Sequence, residues 1–265
     1  MYILALETTG PVGSAALIDE HGQITEAVSG EAMNHLKDLM PMAKRLLDQR
    51  GVCQGDLTAA TASVGPGSFT GIRIGVTSAR AICQALDIPA ISVPTLDSFK
   101  VKCDGRTVVA PIINARRGQV YGAVFGEDGS DILKSGPYML TDVFDAIRTE
   151  LDGRSAETAC GIPVAGRIVF YGDGIDAYGS ELAEFTAGLA ADYCSWQAVL
   201  ADEEERYQRA SMTAACALEK YRDGHLLSVE QLLPEYMRAT EAEQKLADGT
   251  LERQRAAKMA RFRSR

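Results

Sequence analysis

Apolar and polar positions follow two rhythms along the chain. Residues 2–7 form a short apolar run ending at Glu7, and Thr8-Thr9-Gly10-Pro11 after it is turn chemistry. Residues 12–18 and 23–28 read as further strands around the turn Asp19-Glu20-His21-Gly22. The rhythm then changes. Leu36, Leu39, Met40, Ala43, Leu46 and Leu47 recur at i, i+3 and i+4, which predicts a helix, with Gly51 as its C-terminal stop. Pro41 inside that pattern predicts a bent first turn or a helix start close by. A strand at 59–64 leads through a glycine-rich loop to a helix over 72–86, with Ile72, Val76, Ala79, Cys83 and Leu86 on one face, and then a strand at 90–93. A second half of similar type starts near residue 105. It has strands at 107–113 and 119–125 around Asn114-Ala115-Arg116-Arg117-Gly118, a helix at 142–151, and a loop over 152–166. A strand at 167–171 and helices at 175–189 and 210–221 complete it. The expectation is an α/β chain with lobes at 1–104 and 105–240 and a polar tail at 241–265.

Composition narrows the class. The chain has 265 residues, 46% hydrophobic and 24% charged, which is ordinary for a globular protein with a sizeable core. Its net charge of -9 disfavours nonspecific attraction to nucleic acid, so an RNA contact needs a local basic patch or a basic partner. The tail offers one: Arg253, Arg255, Lys258, Arg261, Arg263 and Arg265 reverse the local charge. The opening residues lack a basic segment and a cleavage site, and read as a strand, not a leader; no apolar run is long enough to span a membrane. The six cysteines show no Cys-x-x-Cys spacing and read as free thiols in a reducing, cytoplasmic setting, with Cys53 and Cys83 in apolar, core-like contexts.

The chemistry centres on Val64-Gly65-Pro66-Gly67-Ser68-Phe69-Thr70-Gly71-Ile72-Arg73-Ile74-Gly75. Glycines at 65, 67 and 71 permit positive φ and close approach. Ser68 or Thr70 can cap the following helix, and its free N–H groups make an anion site. Thr8, Thr9, Gly65, Gly67, Ser68, Thr70 and Arg116 are the candidate phosphate or nucleotide cleft. The loop fails both common nucleotide fingerprints: no lysine follows in Walker position, and the third glycine comes one place late for a dinucleotide loop. The alternative is that the glycines serve tight helix packing. The three histidines, His21, His35 and His225, give no zinc-hydrolase pattern, and Ser68 lacks the flanks of a nucleophile elbow. Asp173 and Glu203 to Glu205 read as turn and solvated-face residues.

The run Gly65 to Gly75 resembles the signature of the TsaB (YeaZ) family, which serves threonylcarbamoyl-adenosine formation in bacterial tRNA. Leu4-Ala5-Leu6-Glu7-Thr8-Thr9, Asn34-His35, Val93-Pro94-Thr95-Leu96, Ala115-Arg116-Arg117-Gly118-Gln119-Val120-Tyr121 and Pro234-Glu235-Tyr236-Met237-Arg238 are similar to further family motifs, in order. Two departures stand out. Glu7 and Asn114 occupy positions where the family usually has Asp, which weakens a metal or nucleotide site.

The resemblance implies an actin-like, sugar-kinase-like (ASKHA) fold of two βββαβα lobes. It also implies a subunit with no catalytic or metal site of its own, paired with the catalytic paralogue TsaD and the ATPase TsaE, and self-associating as a homodimer when alone. No tightly bound cofactor is expected; ATP or ADP would enter through the complex, and tRNA indirectly or through the tail. Leu36, Leu39, Met40, Ala43, Leu47, Gly71, Ile72, Gly75, Val76 and Ala79 are the expected partner interface, with Met33, Met40 and Met42 as an adaptable apolar face. Arg73, Arg80, Arg116 and Arg117 could bind phosphate or a partner carboxylate. The competing readings are a working ATPase or small-molecule kinase of the same fold, and, more remotely, a peptidase.

Overall fold

Apolar strands that cannot bury both faces alone pair into two sheets in the computed structural model, which describes residues 1–30, 35–157 and 166–237. The first sheet holds β1 (Tyr2–Glu7), β2 (Ser14–Asp19), β3 (Ile24–Val28), β4 (Leu57–Ser63) and β5 (Ala90–Val93), in the order β3-β2-β1-β4-β5. β1 pairs antiparallel with β2 and parallel with β4. The second sheet holds β6 (Thr107–Arg116), β7 (Gln119–Phe125), β8 (Asp131–Met139), β9 (Gly166–Tyr171) and β10 (Trp196–Leu200), in the order β10-β9-β6-β7-β8. Again the first strand pairs antiparallel with the second and parallel with the fourth. Each sheet therefore runs three-two-one-four-five in its own chain order, the doubled topology that the expected fold class requires.

Helices α1 (His35–Arg50) and α2 (Phe69–Leu86) cover one face of the first sheet. Leu39, Met42, Leu46, Ile72, Val76 and Ala79 meet Leu4, Leu6 and Leu17 there. α1 runs through Pro41 and ends where predicted, with Gly51 at φ +63 and its N–H turned to Asp48 O at 3.2 Å. α3 (Leu140–Glu157), α4 (Gly174–Ala177) and α5 (Gly179–Asp192) follow, and α3 and α5 build the core of the second sheet around Phe144, Phe170 and Phe185. α6 (Ala210–Arg222) comes after all ten strands, yet it packs on the first sheet, its Ala210, Ala214 and Ala217 against Ile3, Ala5 and Ile91. The sheets separate near residue 105; the helices do not.

The structure adds strands and corrects bounds. β8 and β10 carry no clean alternation, since β8 contains Gly136-Pro137 and β10 has five residues. Both lie at sheet edges, where such sequences are tolerated. Helix α3 continues to Glu157, into the loop expected at 152–166, of which residues 158–165 lie outside the described residues. Arg154 holds that last stretch, bonding Glu150 and Glu127 at 2.8 Å each and lying 5.2 Å from the Trp196 ring. The expected helix over 175–189 is two helices, broken at Tyr178, whose hydroxyl donates to Gln119 O at 3.1 Å. Cys83 is buried as expected, but Cys53 is exposed, at the start of the 3-10 turn Gln54–Asp56. Met33, Asn34, the side chains of His35 and Leu36, and the tail at 241–265 lie outside the described residues.

Candidate functional site

β4 delivers the glycine loop at its C-terminal end, beside the turn that leaves β1. Ser68 caps α2, its Oγ accepting the Gly71 N–H at 3.2 Å. Gly65 and Gly67 take φ of +123 and +153. What fills the space over the glycines is the chain itself. A Cβ on Gly65 would stand 2.4 Å from Glu235 O, and on Gly67 2.6 Å from Thr9 O. On Gly71 it would stand 1.9 Å from Thr8 O, and on Gly75 2.6 Å from Thr8 Oγ1. The contacts are cemented by hydrogen bonds: Thr8 Oγ1 donates to Gly71 O at 2.7 Å, and Ser68 N–H to Thr9 O at 2.8 Å. Gly71 and Gly75, expected to admit a partner helix, instead admit the β1–β2 turn.

Under that turn lies a closed polar cluster. Glu7 has no exposed surface. Its Oε1 accepts the Thr9 N–H at 2.6 Å and the Thr9 hydroxyl at 2.5 Å, and its Oε2 accepts the Ser63 hydroxyl. Ser63 Oγ is 2.9 Å from Thr213 Oγ1. Thr9 Oγ1 accepts in turn from Gln208 Nε2 at 3.1 Å and Thr95 Oγ1 at 3.5 Å. Every one of these partners is neutral. Burial pushes the Glu7 carboxyl above its ordinary range, against the opposing pull of the Ser63 and Thr9 hydrogen bonds. Each oxygen of this enclosed carboxyl accepts at least one hydrogen bond from a neutral group. Among the described residues, no three of His, Cys, Asp and Glu come together as a metal site.

The second sheet supplies the facing turns. Asn114 donates its N–H to Asp173 Oδ1 at 2.9 Å and accepts the Arg116 N–H on Oδ1 at 2.8 Å. Asp173, read as a solvated turn residue, is half-buried; burial and then the nearby Asp176 raise its pKa. Arg116 and Arg117 stand exposed at the β6–β7 tip with φ of +63 and +57. Arg116 thus keeps company with Asn114, while Thr8, Thr9, Gly65, Gly67 and Ser68 form the joined group; Thr70 is exposed on the first turn of α2. Residues 206–211 tie the two sets. Arg206 O accepts the Gly172 N–H at 2.6 Å, and Arg206 Nη1 bonds Asp176 at 2.5 Å. Gln208 reaches Thr9, and Ala210 N–H donates to Ser14 Oγ at 2.8 Å. Ser63, Gln208 and Thr213 belong to no sequence motif, Thr95 lies in the run Val93 to Leu96 with no hint of this role, and Gln208 follows a charged run, so only the fold brings them together.

The expected interface divides. Leu39, Ala43, Leu47, Ile72, Val76 and Ala79 are at most 7% exposed, buried against the chain's own first sheet. An apolar stripe covers its own core first, so these side chains are spent within the chain. Met40 remains outward at 42% exposed, and Phe69 at 39%, with Arg73 lying 3.9 Å over its ring. Thr70, Thr77 and Ala81 share the outward side of α2.

Comparison with known proteins places this geometry. Residues 29–246 match the family model "TsaD: tRNA N6-adenosine threonylcarbamoyltransferase". The chain is 37% identical over 128 residues to the tRNA threonylcarbamoyladenosine biosynthesis protein TsaB of Bacillus subtilis, covering 47% of this chain and 55% of that protein. To TsaB of Escherichia coli it is 33% identical over 135 residues, covering 50% of this chain and 58% of that one. The chain thus spans little more than half the length of these curated relatives. The structure of YeaZ from Pseudomonas aeruginosa superposes with a TM-score of 0.63 at 24% identity, over 89% of this chain and 99% of that one, and so shares the fold.

Proposed function

The chain belongs to the family of that threonylcarbamoyltransferase model and, within it, to the TsaB/YeaZ group, and from this premise we propose that it is a non-catalytic partner subunit in the formation of threonylcarbamoyladenosine on tRNA. It acts by complexing and activating the catalytic paralogue TsaD, together with the ATPase TsaE. The observation that supports the reading best is Glu7. The acid that leaves β1 is sealed under Thr9 and Ser63, and the glycine loop beside it is occupied by Thr8, Thr9 and Glu235. A magnesium-dependent ATPase needs an accessible acid and free backbone donors at such a turn. Here the acid is enclosed, and the Ser68 and Gly71 N–H groups of the loop are taken by Thr9 O and Ser68 Oγ, which argues against the kinase-like alternative.

The docking surface is the outward side of α1 and α2. Met40, Phe69, Thr70, Arg73, Thr77 and Ala81 are exposed there, and the small side chains at 70, 77 and 81 let a partner helix approach. The isolated chain uses the same surface to form a homodimer. ATP or ADP enters only with the partners, and the cytoplasm is where the complex works; no helix of the described residues is long and apolar enough to cross a membrane. Co-purification of the chain with the paralogue and the ATPase, scored for tRNA modification, tests the reading. A chain that binds magnesium-ATP tightly and turns it over alone would overturn it.

A further inference from the structure

The last described stretch of the chain folds back over the glycine loop. Leu227 exchanges two backbone hydrogen bonds with Ala90, at 2.9 and 3.0 Å, and so adds a bridge to the edge of β5. The 3-10 turn Val229–Gln231 follows and packs against α2. Leu232 is fully buried in the core that holds Ile72 and Val76, while Leu233 is 55% exposed. Glu235 N–H then donates to Val64 O at 2.8 Å, and its carbonyl takes the space a Cβ on Gly65 would need. From the other side, Thr95 N–H donates to Gly65 O at 2.8 Å, and Val64 N–H to Val93 O at 3.0 Å. Val64 and Gly65 are thereby gripped between the β5 end and residues 227–235. Three residues further on, Ser68 caps α2.

We propose that residues 227–235 are a clasp: closed on Val64 and Gly65, it fixes the glycine loop and the first turn of α2, so that clasp closure and partner docking on α2 are linked. Neither end of the clasp is part of a strand. It is held by backbone bonds at Leu227 and Glu235, by buried Leu232 and by half-buried Leu227 and Val229, a short set of anchors of the kind that opens locally below the cost of global unfolding. Linkage is reciprocal, so a partner that prefers the closed clasp must also hold it closed. The docking half rests on the partner reading above; the coupling inside the chain does not.

Hydrogen exchange on the full chain tests both halves. Leu227→Pro removes the N–H that reaches Ala90 together with a half-buried side chain at the edge of the core; Leu232→Ala loosens the clasp from beneath. In either variant the amides of Glu235, Ser68 and Ile72 exchange about tenfold faster or more, while those of Ile3 to Leu6 keep their wild-type rates. The paralogue binds these variants about tenfold more weakly, and saturating the wild type with it slows Glu235 exchange by a similar factor. Faster exchange at Glu235 with Ser68 and Ile72 unmoved would overturn the clasp. Coupled exchange in a wild-type chain that fails to bind the paralogue would overturn the linkage together with the partner reading, while the coupling within the chain stood.

Discussion

Glu7 is a buried carboxyl whose hydrogen-bond partners among the described residues are all neutral, and that has consequences for stability. Its folded pKa lies above the unfolded value, so the folded chain holds the proton more tightly. The stability this gives is fully present below the ordinary value of 4.5 and is lost as pH rises through the raised folded pKa. Glu7→Gln keeps the shape without the titration. Denaturant unfolding across that window is expected to show a flatter pH profile for the variant, and a neutral-pH stability equal to or above the wild type. Gly71 is the second residue with a sharp outcome. A Cβ there would meet Thr8 O at 1.9 Å, so Gly71→Ala should destabilise by about 3 kcal/mol, read by the shift of the urea midpoint. Of these two, the sequence flagged Glu7 as an unusual acid and Gly71 as a packing glycine. It could not name the hydroxyls of Ser63 and Thr213 as neighbours, because they lie 56 and 150 positions apart from their partners in the cluster.

At the scale of elements, α2 was legible and its role was not. Its apolar positions repeat with helical spacing, and Ser68 and the glycines mark its start, so its existence and buried side follow from pattern alone. The pattern says which side avoids water. It does not say whether a sheet of the same chain or a second protein does the covering, and here the sheet does. β8, β10 and the end of α3 were hidden for a different reason: each is held by neighbours in space, as Arg154 is by Glu127 and Trp196, and not by local rhythm. The outward side of α2 gives the element-scale prediction. Thr77→Trp is exposed, so the fold should keep its stability, while the paralogue should bind at least about tenfold more weakly by calorimetric titration. Unchanged affinity would move the docking surface elsewhere.

Across the whole molecule, two sheets of one topology are joined by a helix that returns to the first and by residues 206–211, which bond the turn after β9 to the turn after β1. The doubled strand–helix order could be read from the chain, since both halves begin with hairpins and continue through helices. The return of α6 could not, because its alanines fit either sheet equally well by pattern. Glu7 and Gln208 both bond Thr9 in the turn after β1, and Glu235 O lies against Gly65 of the glycine loop. The central claim is therefore that the chain contributes to the modification of tRNA without chemistry of its own. Its most direct test is reconstitution: paralogue, ATPase, ATP, tRNA and a threonylcarbamoyl donor, with and without this chain. The account predicts threonylcarbamoyl transfer only when the chain is added, undiminished by Glu7→Gln. Full modification in its absence, or loss of transfer with Glu7→Gln in a chain that still folds, would contradict it.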